Sequence, residues 1–257
     1  MAAKPKVAFF EFTSCEGCQL TVVDSLQTYP ELLEAVEIVR FREAMSEKGD
    51  DYAIAFIEGS CTRPSDEEPL KAIRAKAQFV VALGTCAHLG GINAIRNRSD
   101  LDDVRRYVYG DKAAWYETYP ARPIDQVIKV DAVIPGCPID RHEFIRTVRS
   151  LLQGRMPQLP DYPVCVECKL KENVCVYLRG KTCLGPITRA GCDAICPTYG
   201  DGCEGCRGLI AEPNIESLKQ VLEEHGLTYE QVLAKMTLFL TYQQMEREAA
   251  GDGKASA

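Results

Sequence analysis

Up to about residue 155 the chain alternates short apolar runs with segments of helical period. Five runs rich in β-branched and aromatic residues read as strands: "KVAFFEF" (6–12), "AVEIVRF" (35–41), "DYAIAFIEG" (51–59), "AQFVVALGT" (77–85) and "VDAVIPG" (130–136). Helical period falls between or after them. "CQLTVVDSLQ" (18–27) carries Leu20, Val23 and Leu26 on one face, and "SDEEPLKAIRAKA" (65–77) begins acidic and ends basic, as the helix dipole favours. "DRHEFIRTVRSLLQG" (140–154) stops at Gly154. Strands alternating with helices predict an α/β domain over residues 1–155 built on an open, doubly wound parallel sheet. Ligands of such sheets bind at the carboxyl ends of the strands. Cys15, Cys18, Cys61, Cys86 and Cys137 each follow a strand candidate and are expected along that edge.

Residues 156–212 lose this periodicity and are rich in Cys, Gly and Pro, so something other than an ordinary apolar core is expected to hold them. Helical pattern returns in residues 213–257 with "NIESLKQVLEEHG" and "YEQVLAKMTLFLTYQQMEREAA", whose apolar stripe reads as a packing face; "GDGKASA" reads as a disordered tail.

Composition narrows the function classes. A net charge of −7 over 257 residues, without basic blocks, leaves no footprint for nucleic acid or an anionic membrane. No apolar run approaches the roughly 18 residues of a membrane span, and "MAAKPKVAFF" has no secretory-signal pattern, so a cytoplasmic protein is expected. In that compartment thirteen cysteines point to metal or catalytic use before disulfides, and an odd count excludes complete internal pairing. H-E-x-x-H, G-x-S-x-G and Gly-Lys-Ser phosphate-loop motifs are absent. "LGTCAHLGG" lacks the spacing and the later acidic residue of a dinucleotide fingerprint, and close approach of backbone to a metal cluster accounts better for its glycines.

Eight of the cysteines fall into two tetrads. Cys165, Cys168, Cys175 and Cys183 read C-x2-C-x6-C-x7-C; Cys192, Cys196, Cys203 and Cys206 read C-x3-C-x6-C-x2-C. Such spacings fit zinc or iron–sulfur clusters. Pro197 directly after Cys196, the glycines of "GDGCEGCRG" and a third set of thiols at the strand ends favour clusters.

"FTSCEGCQLTVVD", "IEGS", "GTCAHLGGI", "IPGCPID", "CVYLRGKTCLGPITRAGC" and "GCEGCRG", in this order, resemble the electron-transfer small subunit of nickel–iron hydrogenases, in particular the cytoplasmic kind of soluble hydrogenases and sulfhydrogenases. The resemblance spans nearly the whole chain. It implies a flavodoxin-like first domain followed by a small irregular iron–sulfur domain and C-terminal helices, with three [4Fe–4S] clusters. The proximal cluster would be held by Cys15, Cys18, Cys86 and Cys137, the medial by Cys192, Cys196, Cys203 and Cys206, and the distal by Cys165, Cys168, Cys175 and Cys183. Respiratory relatives use a His where Cys165 stands, and many have only three medial ligands, so an all-cysteine, low-potential set is implied. The implied partners are a large subunit carrying the nickel–iron centre, which this chain lacks, and a flavin or iron–sulfur diaphorase-type subunit. Electrons would run from proximal to medial to distal cluster, or back, in H2 oxidation, H2 production or sulfur reduction. NAD, NADP, a deazaflavin, ferredoxin or a disulfide reductase would all be served by the same relay.

Two other readings stand beside it. A quinone-reductase module related to complex I shares the first domain and the "GTC…PGCP" cysteines, but normally has adjacent cysteines in place of C-x2-C and no second tetrads; a non-catalytic module with structural zinc is the other. Several further residues have two readings. Glu16 and Glu58 are candidates for the cluster environment or a proton route, against a solvated or interface acid. Cys61 is a small buried thiol or a neighbour of the proximal cluster. His88 lies two residues from Cys86, while His142 and His225 read as surface residues. The turn from the first strand into the helix after Cys15 is expected to lower the thiol pKa and to favour an anionic cluster.

Overall fold

The computed structural model describes residues 4–249. The tail "GDGKASA" and Ala250 lie outside the described residues. The chain divides into two compact units, Met1–Pro157 and Gln158–Ala257.

The first unit holds all five predicted strands: β1 (Lys6–Glu11), β2 (Glu37–Arg40), β3 (Ile54–Glu58), β4 (Phe79–Leu83) and β5 (Ala132–Ile134). They pair in parallel in the order β2-β1-β3-β4-β5. Alternating side chains enter two cores, because helices cover both faces of a parallel sheet. Val7, Phe9, Phe56, Val81 and Ile134 join Val22 and Phe144 on one face. Ala8, Phe10, Ala55, Ile57 and Val80 join Leu70 and Ile73 on the other. Phe9 stacks between Phe41 and Phe56, with ring centroids at 4.3 and 4.9 Å. Strand order reverses about β1, and this opens a crevice at the carboxyl ends of β1 and β3.

The three predicted helices form over Gly17–Thr28, Glu67–Lys76 and Arg141–Leu152. The first buries Cys18, Gln19, Val22 and Ser25; of its predicted face Val23 and Leu26 pack against the core, whereas Leu20 is 54% exposed. Between β4 and β5 lie helical segments beyond the three predicted, among them Gly84–Leu89, Gly91–Arg98 and Leu101–Tyr109. The last fully buries no residue, although Leu101, Val104 and Val108 share one face.

The second unit is irregular through its cysteines yet has an apolar centre of Val164, Val176, Leu184, Ile187 and Ala190. Its C-terminal helices begin at capped positions. Asn214 accepts from the Ser217 amide at 2.8 Å, and Thr228 and Gln231 form a reciprocal capping box. "YEQVLAKMTLFLTYQQMEREAA" is two helices, Tyr229–Met236 and Thr241–Ala249, rather than one. These helices lean on the cysteine segment: Lys235 meets Glu204 at 2.5 Å, and Leu240 fills the space beside Gly205. Among the described residues no helix is long and apolar enough to cross a membrane.

Candidate iron–sulfur sites

Cys15 and Cys18 stand where β1 gives way to the Gly17–Thr28 helix, Cys86 lies in the short helix after β4, and Cys137 follows β5. Parallel strands bring these turns to one edge, and the four thiols become electrostatic neighbours: Cys18 responds to Cys137 and Cys86, and Cys86 to Cys137 and Cys15. Cys15 and Cys137 are exposed, Cys86 is half-buried and Cys18 is buried, so the group opens at the surface. Backbone is drawn tightly against the sulfurs. A Cβ on Gly84, whose φ is +81°, would overlap the Cys18 Sγ, and one on Gly91 would sit 3.0 Å from the Cys86 Sγ.

Burial raises the Cys18 thiol pKa, aided by the negative charge of Glu58, and pushes Cys86 up to about 12, aided by Cys137 and Cys15. The lowering expected from the helix N-terminus therefore does not occur at Cys18: burial outweighs it, and Glu58 takes up the amides that would have supplied it. Glu58 is 2% exposed at the end of β3; its Oε1 accepts from the Cys18 amide at 3.2 Å and its Oε2 from the Gln19 amide at 3.0 Å. A distant carboxylate thus caps the helix whose own N-cap residue, Glu16, is left-handed at φ 63° and makes no side-chain cap bond. Glu16 instead lies 3.8 Å from Arg42. The backbone amides of Ile139 and Ile92 act on Cys18 and Cys86 in the opposite sense, favouring negative sulfur. Four thiolates set side by side, two of them drawn below the surface, are stabilised by a cationic centre, and amide donors aimed at sulfur suit an iron–sulfur cluster.

Cys61 does not join this group. It is fully buried in the core on the sheet face opposite Cys18, and its Sγ lies 2.7 Å from the Tyr119 hydroxyl. That partner, 58 residues away, leaves no trace in local pattern. His88 is half-buried. His142 is exposed with its ring 6.3 Å from that of Tyr29, whereas His225 is half-buried on Tyr177 at 5.7 Å rather than free on the surface.

In the second unit Cys165 responds to Cys183, Cys168 and Cys175, so the first tetrad converges; burial and these neighbours push Cys165 up to about 12. A Cβ on Gly185 would lie 3.3 Å from both the Cys165 and the Cys183 Sγ. The amides of Gly185 and Cys203 donate to the Cys183 Sγ at 3.4 and 3.1 Å, which sets the second tetrad beside the first. Within the second tetrad, Cys203 and Cys206 interact. Burial raises Cys192 and Cys196; Arg207 and Glu167 act on the first, Glu204 and Asp201 on the second.

Arg207 carries no signal in the sequence pattern. Only 1% exposed, it donates from Nε to the Ala190 carbonyl at 2.8 Å and draws Cys192 toward the thiolate. A buried guanidinium next to Cys206 matches an anionic group held by that tetrad. All thirteen cysteines are free. Among the described residues no three His, Cys, Asp or Glu side chains converge as closely as a single ion demands.

Residues 15–151 match the family model described as NADH ubiquinone oxidoreductase, 20 Kd subunit. The chain is 36% identical to sulfhydrogenase 2 subunit delta of Pyrococcus furiosus, covering 91% of this chain and 98% of that one. It is 29% identical to the delta subunit of the NAD-reducing hydrogenase HoxS of Cupriavidus necator, over 62% and 83% of the two chains. Among solved structures, a chain of an NAD+-reducing [NiFe]-hydrogenase in the H2-reduced state aligns with a TM-score of 0.54 and 27% identity, over 62% of this chain and 96% of that one. Cysteine-bearing strand ends, a flavodoxin-like strand order and these likenesses together make the chain a member of the hydrogenase-subunit family that is related to the 20 kDa subunit of NADH–ubiquinone oxidoreductase.

Proposed function

We propose that the chain is the electron-relay subunit of a cytoplasmic nickel–iron hydrogenase, with three [4Fe–4S] clusters held by the proximal, medial and distal cysteine sets named above. The observation that carries this reading is the convergence of Cys15, Cys18, Cys86 and Cys137 from separate turns, together with the abutting of two further tetrads at Cys183 and Cys203. When bound, an iron–sulfur cluster supplies reversible one-electron storage. The chain's own residues hold and tune. Thiolates fix the site, the amides of Ile139, Ile92 and Gly185 offset negative charge on sulfur, and Glu58 locks the turn that presents Cys18.

The proximal set opens at the surface beside exposed Leu20 and Ile92, which suits a docked large subunit carrying the nickel–iron centre. Exposed Leu170, Leu178 and Tyr199, in the unit that bears the distal set, suit contact with a flavin or iron–sulfur acceptor subunit. In the intact complex, Cys183→Ser should abolish H2-dependent dye reduction while exchange between D2 and water at the partner continues. Dye reduction at the unaltered rate in that variant would contradict the relay. The quinone-reductase reading draws on the family match over residues 15–151, but it leaves the eight cysteines from Cys165 to Cys206 without a role.

A further inference from the structure

Glu167 stands between Cys165 and Cys168 in the Val164–Leu170 helix, inside the distal run of cysteines. Residues three apart share a helix face, so the two thiols lie together and Glu167 is turned off their face. Its carboxylate reaches the other tetrad. Oε1 accepts from the Gly191 amide at 2.8 Å and Oε2 from the Ala194 amide at 3.1 Å, on either side of Cys192.

The loop that carries Cys192 needs such a hold. Asp193 and Ala194 are both left-handed, at φ 58° and 48°, and Gly191 has φ 115°. Consecutive left-handed residues with side chains persist only where surrounding contacts impose them. A carboxylate that takes two amides at once is a contact of that kind, because charge-assisted bonds are stronger than neutral ones. Two further tethers join the same segments: Lys171 meets Asp193 at 2.5 Å, and the Asn173 side-chain amide donates to the Thr198 hydroxyl at 3.0 Å. All three run from residues 167–173 to residues 191–198.

Charge is directed the same way. Glu167 disfavours negative sulfur at Cys192, and the buried Arg207 favours it. The chief groups acting on Cys165 are instead the thiols of its own tetrad and Lys169. A fixed negative charge beside a ligand resists the arrival of an electron.

We propose, on the basis of the three-cluster reading, that Glu167 is a positioning residue for the medial set although its place in the sequence is within the distal one. It holds the loop that presents Cys192, and its charge makes the medial site harder to reduce.

The test is a redox titration of the anaerobically purified full-length chain, read by electron paramagnetic resonance, with the medial and distal signals identified through Cys192→Ser and Cys168→Ser. Glu167→Gln keeps the size and one acceptor but removes the charge. At a fixed solution potential it should raise the reduced-to-oxidised ratio of the medial cluster about threefold or more, a midpoint shift of about 28 mV or more to the positive side, and move the distal ratio less. Glu167→Ala, which removes both acceptors, should lose about four irons per chain, with the medial signal gone and the proximal and distal signals kept. Either variant decides. An unmoved or lowered medial midpoint in Glu167→Gln overturns the proposal, as does a larger shift at the distal cluster. So does a Glu167→Ala chain that keeps its medial signal or loses its distal one. Absence of a medial signal from the unaltered chain contradicts the three-cluster reading itself and removes this role with it, whereas the other contrary results leave that reading standing.

Discussion

Single side chains decide whether the strand-end turns keep their shape. Glu58 replaces a local cap by reaching from β3 to the first turn of the neighbouring helix, and two buried amides depend on it. Glu58→Ala should therefore lower stability by about 2–3 kcal/mol, the cost of losing charge-assisted bonds to buried donors, as read by denaturant unfolding of the purified chain. Cys61→Ala should leave the electron paramagnetic resonance signal of the reduced proximal cluster unchanged, because its thiol belongs to Tyr119 and the opposite core. The cysteines are legible one by one, since their spacing is itself the chemistry. Glu58 is legible only as a residue near a strand end, and Arg207 and Tyr119 not at all. Their roles come from partners 17 to 58 positions away that local pattern does not encode.

At the level of elements, all five strands can be read because a parallel sheet buries both faces and so leaves continuous apolar runs. The Leu101–Tyr109 helix shows an apolar stripe of Leu101, Val104 and Val108 but fully buries none of it, and it lies in the long span between the last two strands where no helix is expected. In the Gly17–Thr28 helix, Val23 and Leu26 follow the hydrophobic pattern onto the core, and only apolar Leu20 departs from it, exposed in the turn where Cys18 is buried. The close fit of backbone to sulfur yields a sharp prediction. Gly84→Ala would need a Cβ inside the Cys18 Sγ at a φ of +81°, so it should cost the proximal site alone, about four irons per chain by metal analysis. Gly185 lies against Cys165 and Cys183 instead, so Gly185→Ala should disturb the distal site and spare the proximal one.

Across the whole molecule, periodicity separates a sheet-bearing region from a cysteine-rich one, and the structure has two compact units, with the C-terminal helices belonging to the second. Tertiary packing around Gly205 and Glu204 makes that second unit a folded body rather than a tail. What joins the scales is one claim, that twelve thiols in three groups hold three iron–sulfur clusters. Iron and acid-labile sulfide, measured on the anaerobically purified chain, test it directly. About twelve of each per chain are expected. About four of each would reduce the chain to a single-cluster module, and zinc without sulfide would contradict the three-cluster claim altogether.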